Sequence, residues 1–112
     1  MNEINFEDFL KVDLRVGEVV SAEVFAQARK PAYILHVDFG PEIGILKSSA
    51  QITAHYQPDE LIGKQVVAVV NFPTKQIGPI QSQCLVTGFH DEHGAVVLCV
   101  PDKSVSKGTK LL

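Results

Sequence analysis

Val66-Val67-Ala68-Val69-Val70 is an unbroken apolar run of mostly β-branched residues, followed at once by Asn71-Phe72-Pro73-Thr74-Lys75. Side chains of a strand alternate between its two faces, so five apolar residues in succession predict a strand covered on both sides. A strand of that kind needs a sheet around it and a second layer above it. The polar, basic and turn-rich segment through Leu85 then leaves the core and suits presentation of a surface. It holds no acid or histidine, and no cysteine stands close enough to a base to be activated. Binding is therefore the first expectation, ahead of chemistry.

At 112 residues the chain fits a single domain, expected to span 1–112, that buries roughly two-thirds of its unfolded surface. Its 46% apolar and 21% charged residues supply enough core to offset chain entropy, which excludes a disordered chain. No apolar run approaches the roughly 20 residues of a membrane span, so no membrane insertion is expected. The N-terminus lacks a signal-peptide pattern, and a cytoplasmic protein is the simplest reading. The formal charge of −3 weighs against broad attraction to nucleic acid, so any RNA site requires clustered cations.

Asn5 is a good N-cap for a short helix over Phe6–Lys11. From Asp13 onward the period changes to two, with Leu14, Val16, Val20, Ala22 and Val24 on one parity. Glu18 and Val19 break that alternation beside Gly17, which predicts a bulge or bend. Tyr33, Leu35, Val37 and Phe39 mark the core side of the next strand, which ends at Gly40-Pro41 before a hairpin return over Ile43–Lys47. Ser48–Tyr56 reads as a helix opened by serine and closed by Pro58, and Asp59–Gly63 as a turn. Cys84–Phe89 and Ala95–Val100 flank the turn Asp91-Glu92-His93-Gly94 as a second hairpin.

Five strand signals, a short N-terminal helix and a helix between strands 3 and 4 predict an all-β, five-stranded Greek-key barrel of the OB-fold type. Leu111 and Leu112, with Ile4, Phe6, Phe9 and Leu10, either plug one end of that barrel or form a patch between subunits.

Catalytic and metal-binding motifs are missing. His90 and His93 beside Asp91 and Glu92 fall on a turn and read as a solvated loop, since a zinc site needs three or four convergent ligands. His36 and His55 read as surface residues, and Cys84 and Cys99 as small hydrophobes in strands. No nucleophile elbow, phosphate loop or carboxylate pair is present. A non-enzyme with no cofactor and no metal is expected. Lys47-Ser48-Ser49-Ala50-Gln51 and Asn71–Leu85 instead combine cations, hydroxyls and amides along segments that border the ligand face of an OB barrel.

At these residues the chain resembles the tRNA-binding-domain family, the OB-fold modules of methionyl-tRNA synthetases and of free-standing tRNA-binding proteins. The resemblance rests on Asp13-Leu14-Arg15-Val16-Gly17, on Glu60-Leu61-Ile62-Gly63-Lys64, on Asn71 after the valine-rich strand, and on Ser82-Gln83. Within the family, Ala28-Arg29-Lys30-Pro31-Ala32-Tyr33, Ile43–Thr53 and Val70–Pro73 leading to Gln76-Ile77-Gly78-Pro79 resemble its branch of small secretion-related chaperones.

The family resemblance implies RNA contact at Asn71, Ser82 and Leu85, with Cys84 and Leu85 standing where relatives carry glycine and methionine. Lys47, Ser48 and Lys75 complete the tRNA-binding set. The chaperone branch implies an ATP-independent homodimer joined through the apolar termini (Ile4, Phe6, Phe9, Leu10, Leu111 and Leu112). Its hollows would bind unfolded polypeptides or preproteins through Arg29, Lys30, Phe72 and Lys75. A structure-specific tRNA-binding protein is the alternative.

Overall fold

The computed structural model describes residues 1–112. The helix α1 (Phe6–Leu10) precedes the strands β1 (Leu14–Val24), β2 (Tyr33–Asp38) and β3 (Ile45–Ala50). After helix α2 (Pro58–Leu61) follow β4 (Gln65–Val69), β5 (Lys75–Ile77), β6 (Ile80–Ser82), β7 (Leu85–Val86), β8 (Gly88–His90) and β9 (Val96–Leu98). Five strands form one antiparallel sheet in the order β3-β2-β1-β4-β7. It curls into a nearly closed OB-type barrel, as the strand pattern predicted. The hairpins β5–β6 and β8–β9 stand apart as two-stranded sheets.

The long strand β1 holds the barrel together because it pairs on both edges. Leu14–Glu18 run against β4, while Glu18–Val24 run against β2. The edge left free along Leu14–Val16 is taken by the C-terminal tail: Val16 N–H donates to Thr109 O at 2.9 Å, Gly108 N–H to Val16 O at 2.7 Å and Leu111 N–H to Leu14 O at 2.8 Å. Arg15 fastens the tail further. Its guanidinium donates to Gly108 O at 3.0 Å and to the Asp13 carboxylate at 2.7 Å.

The expected bend in β1 is a bulge at Val20, which has no partner between the pairs Val19–Val37 and Ser21–His36. One extra residue reverses the alternation, so the expected row Leu14, Val16, Val20, Ala22 and Val24 does not share one face. Val19 is fully buried and Ala22 packs on the core, whereas Val20 and Val24 are exposed. Gly17 also points inward, and its missing Cβ makes room: one built there would lie 2.5 Å from Val37 Cγ1 and 2.7 Å from Phe39 Cε1. The core over it includes Leu35, Val37, Phe39, Leu61 and Val66. Each such side chain stabilises the fold by about 1.5–3 kcal/mol through burial.

Two predicted elements are corrected, the helix over Ser48–Tyr56 and the turn over Asp59–Gly63, whose first residues belong to α2. The segment Ser48–Tyr56 is not helical, because Ser48–Ala50 complete β3 by pairing with Leu35, Ile34 and Tyr33. Ser48 and Ala50 alternate inward there, and tertiary pairing overrides the local helical content. Pro58 does not close a helix but opens α2, its fixed φ and missing N–H fitting the first turn. The helix between strands 3 and 4 is thus present ten residues beyond its expected start.

Two outcomes follow from this packing. Gly17→Ala inserts a methyl into occupied space and lowers the unfolding free energy by about 1–3 kcal/mol, read from the urea midpoint. Asp13 is held below its ordinary pKa of 3.8, first by the hydrogen bond from Arg15. Its contribution is present above pH 3.8 and is lost as the pH falls through the lowered folded value. Asp13→Asn is therefore less stable than the parent at pH 7, and urea titrations at successive pH values show the gap shrinking below pH 3.8.

Candidate binding site

The barrel closes at β3 through side chains as much as through backbone. Gln83 N–H donates to Lys47 O at 2.7 Å, while Gln83 Oε1 accepts Lys47 N–H at 2.9 Å and Ser82 Oγ accepts Ser49 N–H at 3.1 Å. Beyond Ser49 the β5–β6 hairpin stands off β3 as an arm, with a hollow on either side of it. One, of about 550 Å³, is lined by Ile52, Phe72, Lys75, Leu85, Val86 and Val96 among others. The other, of about 510 Å³, is lined by Phe25, Ala28, Arg29, Lys30 and Ala32. Ser49, Gln51 and Ile77 border both.

No Asp or Glu lines either hollow, although the chain carries 13 acids against 10 Lys and Arg. The net charge of −3 thus conceals a local cationic surface at Arg29, Lys30 and Lys75. Phe72 and Leu85 are 54% and 51% exposed, an apolar offering on the same rim.

The expected site residues do not all gather here. Phe72, Lys75, Ser82 and Leu85 line the first hollow, and Arg29 and Lys30 the second. Lys47 lies on the outward parity of β3 and borders neither. Ser48 turns into the barrel at 1% exposure beside the Cys84 thiol, so its hydroxyl is out of reach of a ligand. Asn71 is committed to the fold: Oδ1 accepts Asp13 N–H at 3.0 Å, and Nδ2 donates to Lys11 O at 2.7 Å. Ser82 likewise spends its hydroxyl on β3. The terminal residues Ile4, Phe6, Leu10, Leu111 and Leu112 are exposed and do not plug the barrel; Phe9 is half-buried, its ring 6.1 Å from that of Phe6.

Ile52 and Val96 are lining residues outside the two segments that the sequence singled out, whereas Gln51 and Ile77 lie inside those segments without having been named as contacts. Ile77 carried the best signal, as an apolar residue in a polar arm next to Gly78.

Cys84 and Asp91 serve the fold. Burial pushes the Cys84 thiol up to about 12, so it stays neutral, and Sγ contacts Lys47 O at 3.8 Å. His55 Nε2 lies 2.7 Å from Asp91 Oδ2, tying the loop after β3 to the β8–β9 turn. That bond, with the N–H groups of His93 and Ala95, holds the Asp91 carboxyl below its ordinary value. No group of three or more His, Cys, Asp or Glu side chains gathers closely enough to hold a metal ion. No helix is long and apolar enough to cross a membrane.

Residues 14–110 match the family described as "Putative tRNA binding domain". The chain belongs to this tRNA-binding-domain family. In structure and sequence it is similar to chaperones named CsaA. The crystal structure of CsaA from Bacillus anthracis strain Ames superimposes with a TM-score of 0.92 and 51% identity, covering 99% of this chain and 100% of that one. The CsaA chaperone protein from Picrophilus torridus gives 0.91 and 46%, covering 98% and 100%. Methionine–tRNA ligase of Pyrococcus horikoshii is 37% identical over 111 residues, 99% of this chain. The chain spans 15% of that ligase's length.

Asn71→Ala removes the two side-chain bonds to the Lys11–Asp13 backbone and leaves the bond from Val70 N–H to Asp13 O at 2.9 Å. Hydrogen exchange at the Asp13 amide then accelerates about tenfold, the worth of roughly one net hydrogen bond, while core amides of β2 and β4 keep their protection.

Proposed function

We propose that this protein is an ATP-independent holdase that binds unfolded or export-bound polypeptides as a cytoplasmic homodimer, without an enzymatic step, a cofactor or membrane insertion. The unit that acts is the whole chain, 1–112. One observation carries the reading: a pair of adjoining hollows, apolar at Phe72 and Leu85 and cationic at Arg29, Lys30 and Lys75, with no acid in either lining. An apolar side chain settling into such a hollow gains about 1.5–3 kcal/mol, too little for tight binding once ordering costs are met. Weak, reversible grip is what transient shielding requires. The likeness to two CsaA chaperones supports the same reading. Ile4, Phe6, Phe9, Leu10, Leu111 and Leu112 supply an apolar surface for a second copy, and pairing doubles the hollows available to one client.

A second reading, a structure-specific tRNA-binding protein, is favoured by the family match and by the cations on the rim. Its contacts would come from Lys47, Lys75 and Leu85, with Asn71 and Ser82 holding the surface in shape. Engagement of about six phosphates by a dimer would give a log–log salt slope of roughly −4 to −5.

Two double variants separate the readings. Phe72→Ser with Leu85→Ser, both on the exposed rim, weakens suppression of client aggregation in light scattering about tenfold or more. Lys47→Ala with Lys75→Ala costs a wholly apolar, uncharged peptide less than about twofold in affinity but flattens the salt dependence of tRNA binding. A parent protein that suppresses no aggregation and binds labelled peptide no better than an unrelated protein removes the holdase reading.

A further inference from the structure

We propose that the backbone edge at the C-terminal end of β3, from Ser49 to Gln51 just beyond the strand, receives the client as an added strand where the two hollows meet, so that main-chain pairing supplies part of the grip. This rests on the polypeptide-binding reading above and specifies how that site works.

β3 is the terminal strand of the five-stranded sheet. Its outward N–H groups at Lys47 and Ser49 are covered by side chains, Gln83 Oε1 and Ser82 Oγ, and not by a neighbouring strand. The cover ends at Ser49. Gln51, the first residue after β3, is exposed, and neither its backbone N–H, its C=O nor its side-chain amide has a partner within the protein. An open strand edge of this kind is a template for another chain, which is why folded proteins usually cover it. Here it is left uncovered at the one place where two hollows share a border, since Ser49 and Gln51 line both.

An extended chain laid along this edge would present successive side chains to opposite sides. On one side lies the hollow with Phe72 and Leu85, and on the other the hollow with Arg29 and Lys30. With no acid in either lining, charge complementarity selects a segment that carries an acidic and an apolar side chain. Main-chain pairing gives affinity that does not depend on sequence, and the two hollows bias it. That combination suits a protein that must hold many unrelated unfolded chains.

The test uses fluorescence anisotropy with a labelled peptide of about eight residues, a common strand length, in which apolar and acidic residues alternate at the centre as Leu-Glu-Phe-Glu. Two further versions carry N-methyl groups on complementary alternate amides. A strand added to an edge uses every second amide only, so one methylated version loses about tenfold or more while the other binds within about twofold of the parent. Replacing both Glu by Lys weakens binding, and Arg29→Glu with Lys30→Glu reverses that preference. Equal loss, or no loss, in both methylated versions overturns strand addition and leaves the polypeptide-binding reading in place. Failure of the unmethylated peptide to bind, with client aggregation still suppressed, also overturns it alone. Binding of tRNA with neither peptide binding nor suppression overturns both.

Discussion

Backbone pairing along β1 is the constraint on which the molecule depends. β1 is bonded to β4, to β2 and to the C-terminal tail, and it can serve all three only because it changes direction between Gly17 and Ser21. Gly17 lets Val37 and Phe39 close over the strand where any side chain would hold them off. The bulge at Val20 then sharpens the twist, as an unpaired extra residue does. Tail and barrel meet at the same place: Gly108, at φ +87°, passes so close to Phe39 O that a Cβ would lie 2.5 Å away. The end of the chain is thereby part of the sheet.

The candidate site follows from how incompletely that curled sheet closes. If β3 met a full neighbouring strand, no edge and no double hollow would exist. Gln83 and Ser82 join β3 over Lys47 and Ser49 only, and the β5–β6 arm then diverges. Residues that the family pattern associates with RNA are here committed to architecture: Asn71 anchors the N-terminal segment and Ser82 seals the barrel. Apolar rim residues and lysines stay free. The chemistry left at the surface is consequently van der Waals contact, hydrogen bonding to extended backbone and attraction of negative charge. A buried, neutral thiol at Cys84 adds nothing reactive.

Several parts of this were legible in advance. The row Tyr33, Leu35, Val37 and Phe39 is buried as its alternation predicted, and the turn at Asp91–Gly94 joins β8 to β9. The bend near Gly17 was visible as a break in period, but its consequence for side-chain facing was not, because one extra residue inverts every position after it. Ser48–Tyr56 was misjudged for a related reason. Its small and polar residues satisfy helix and strand alike, and only pairing with β2 decides between them.

Composition and order of residues by themselves determined that the chain would be an all-β barrel with a doubly covered strand at Val66–Val70, without catalytic or metal-binding motifs and with a polar, cationic arm. Those features are local, carried by period and residue type over a few positions. Tertiary structure alone decided which polar groups remain available. Whether an asparagine, a serine or a strand edge faces a ligand or the protein depends on partners distant in sequence, such as Asn71 with Asp13 and Ser82 with Ser49. Hydrogen-bond satisfaction is settled in space, and no spacing along the chain encodes it.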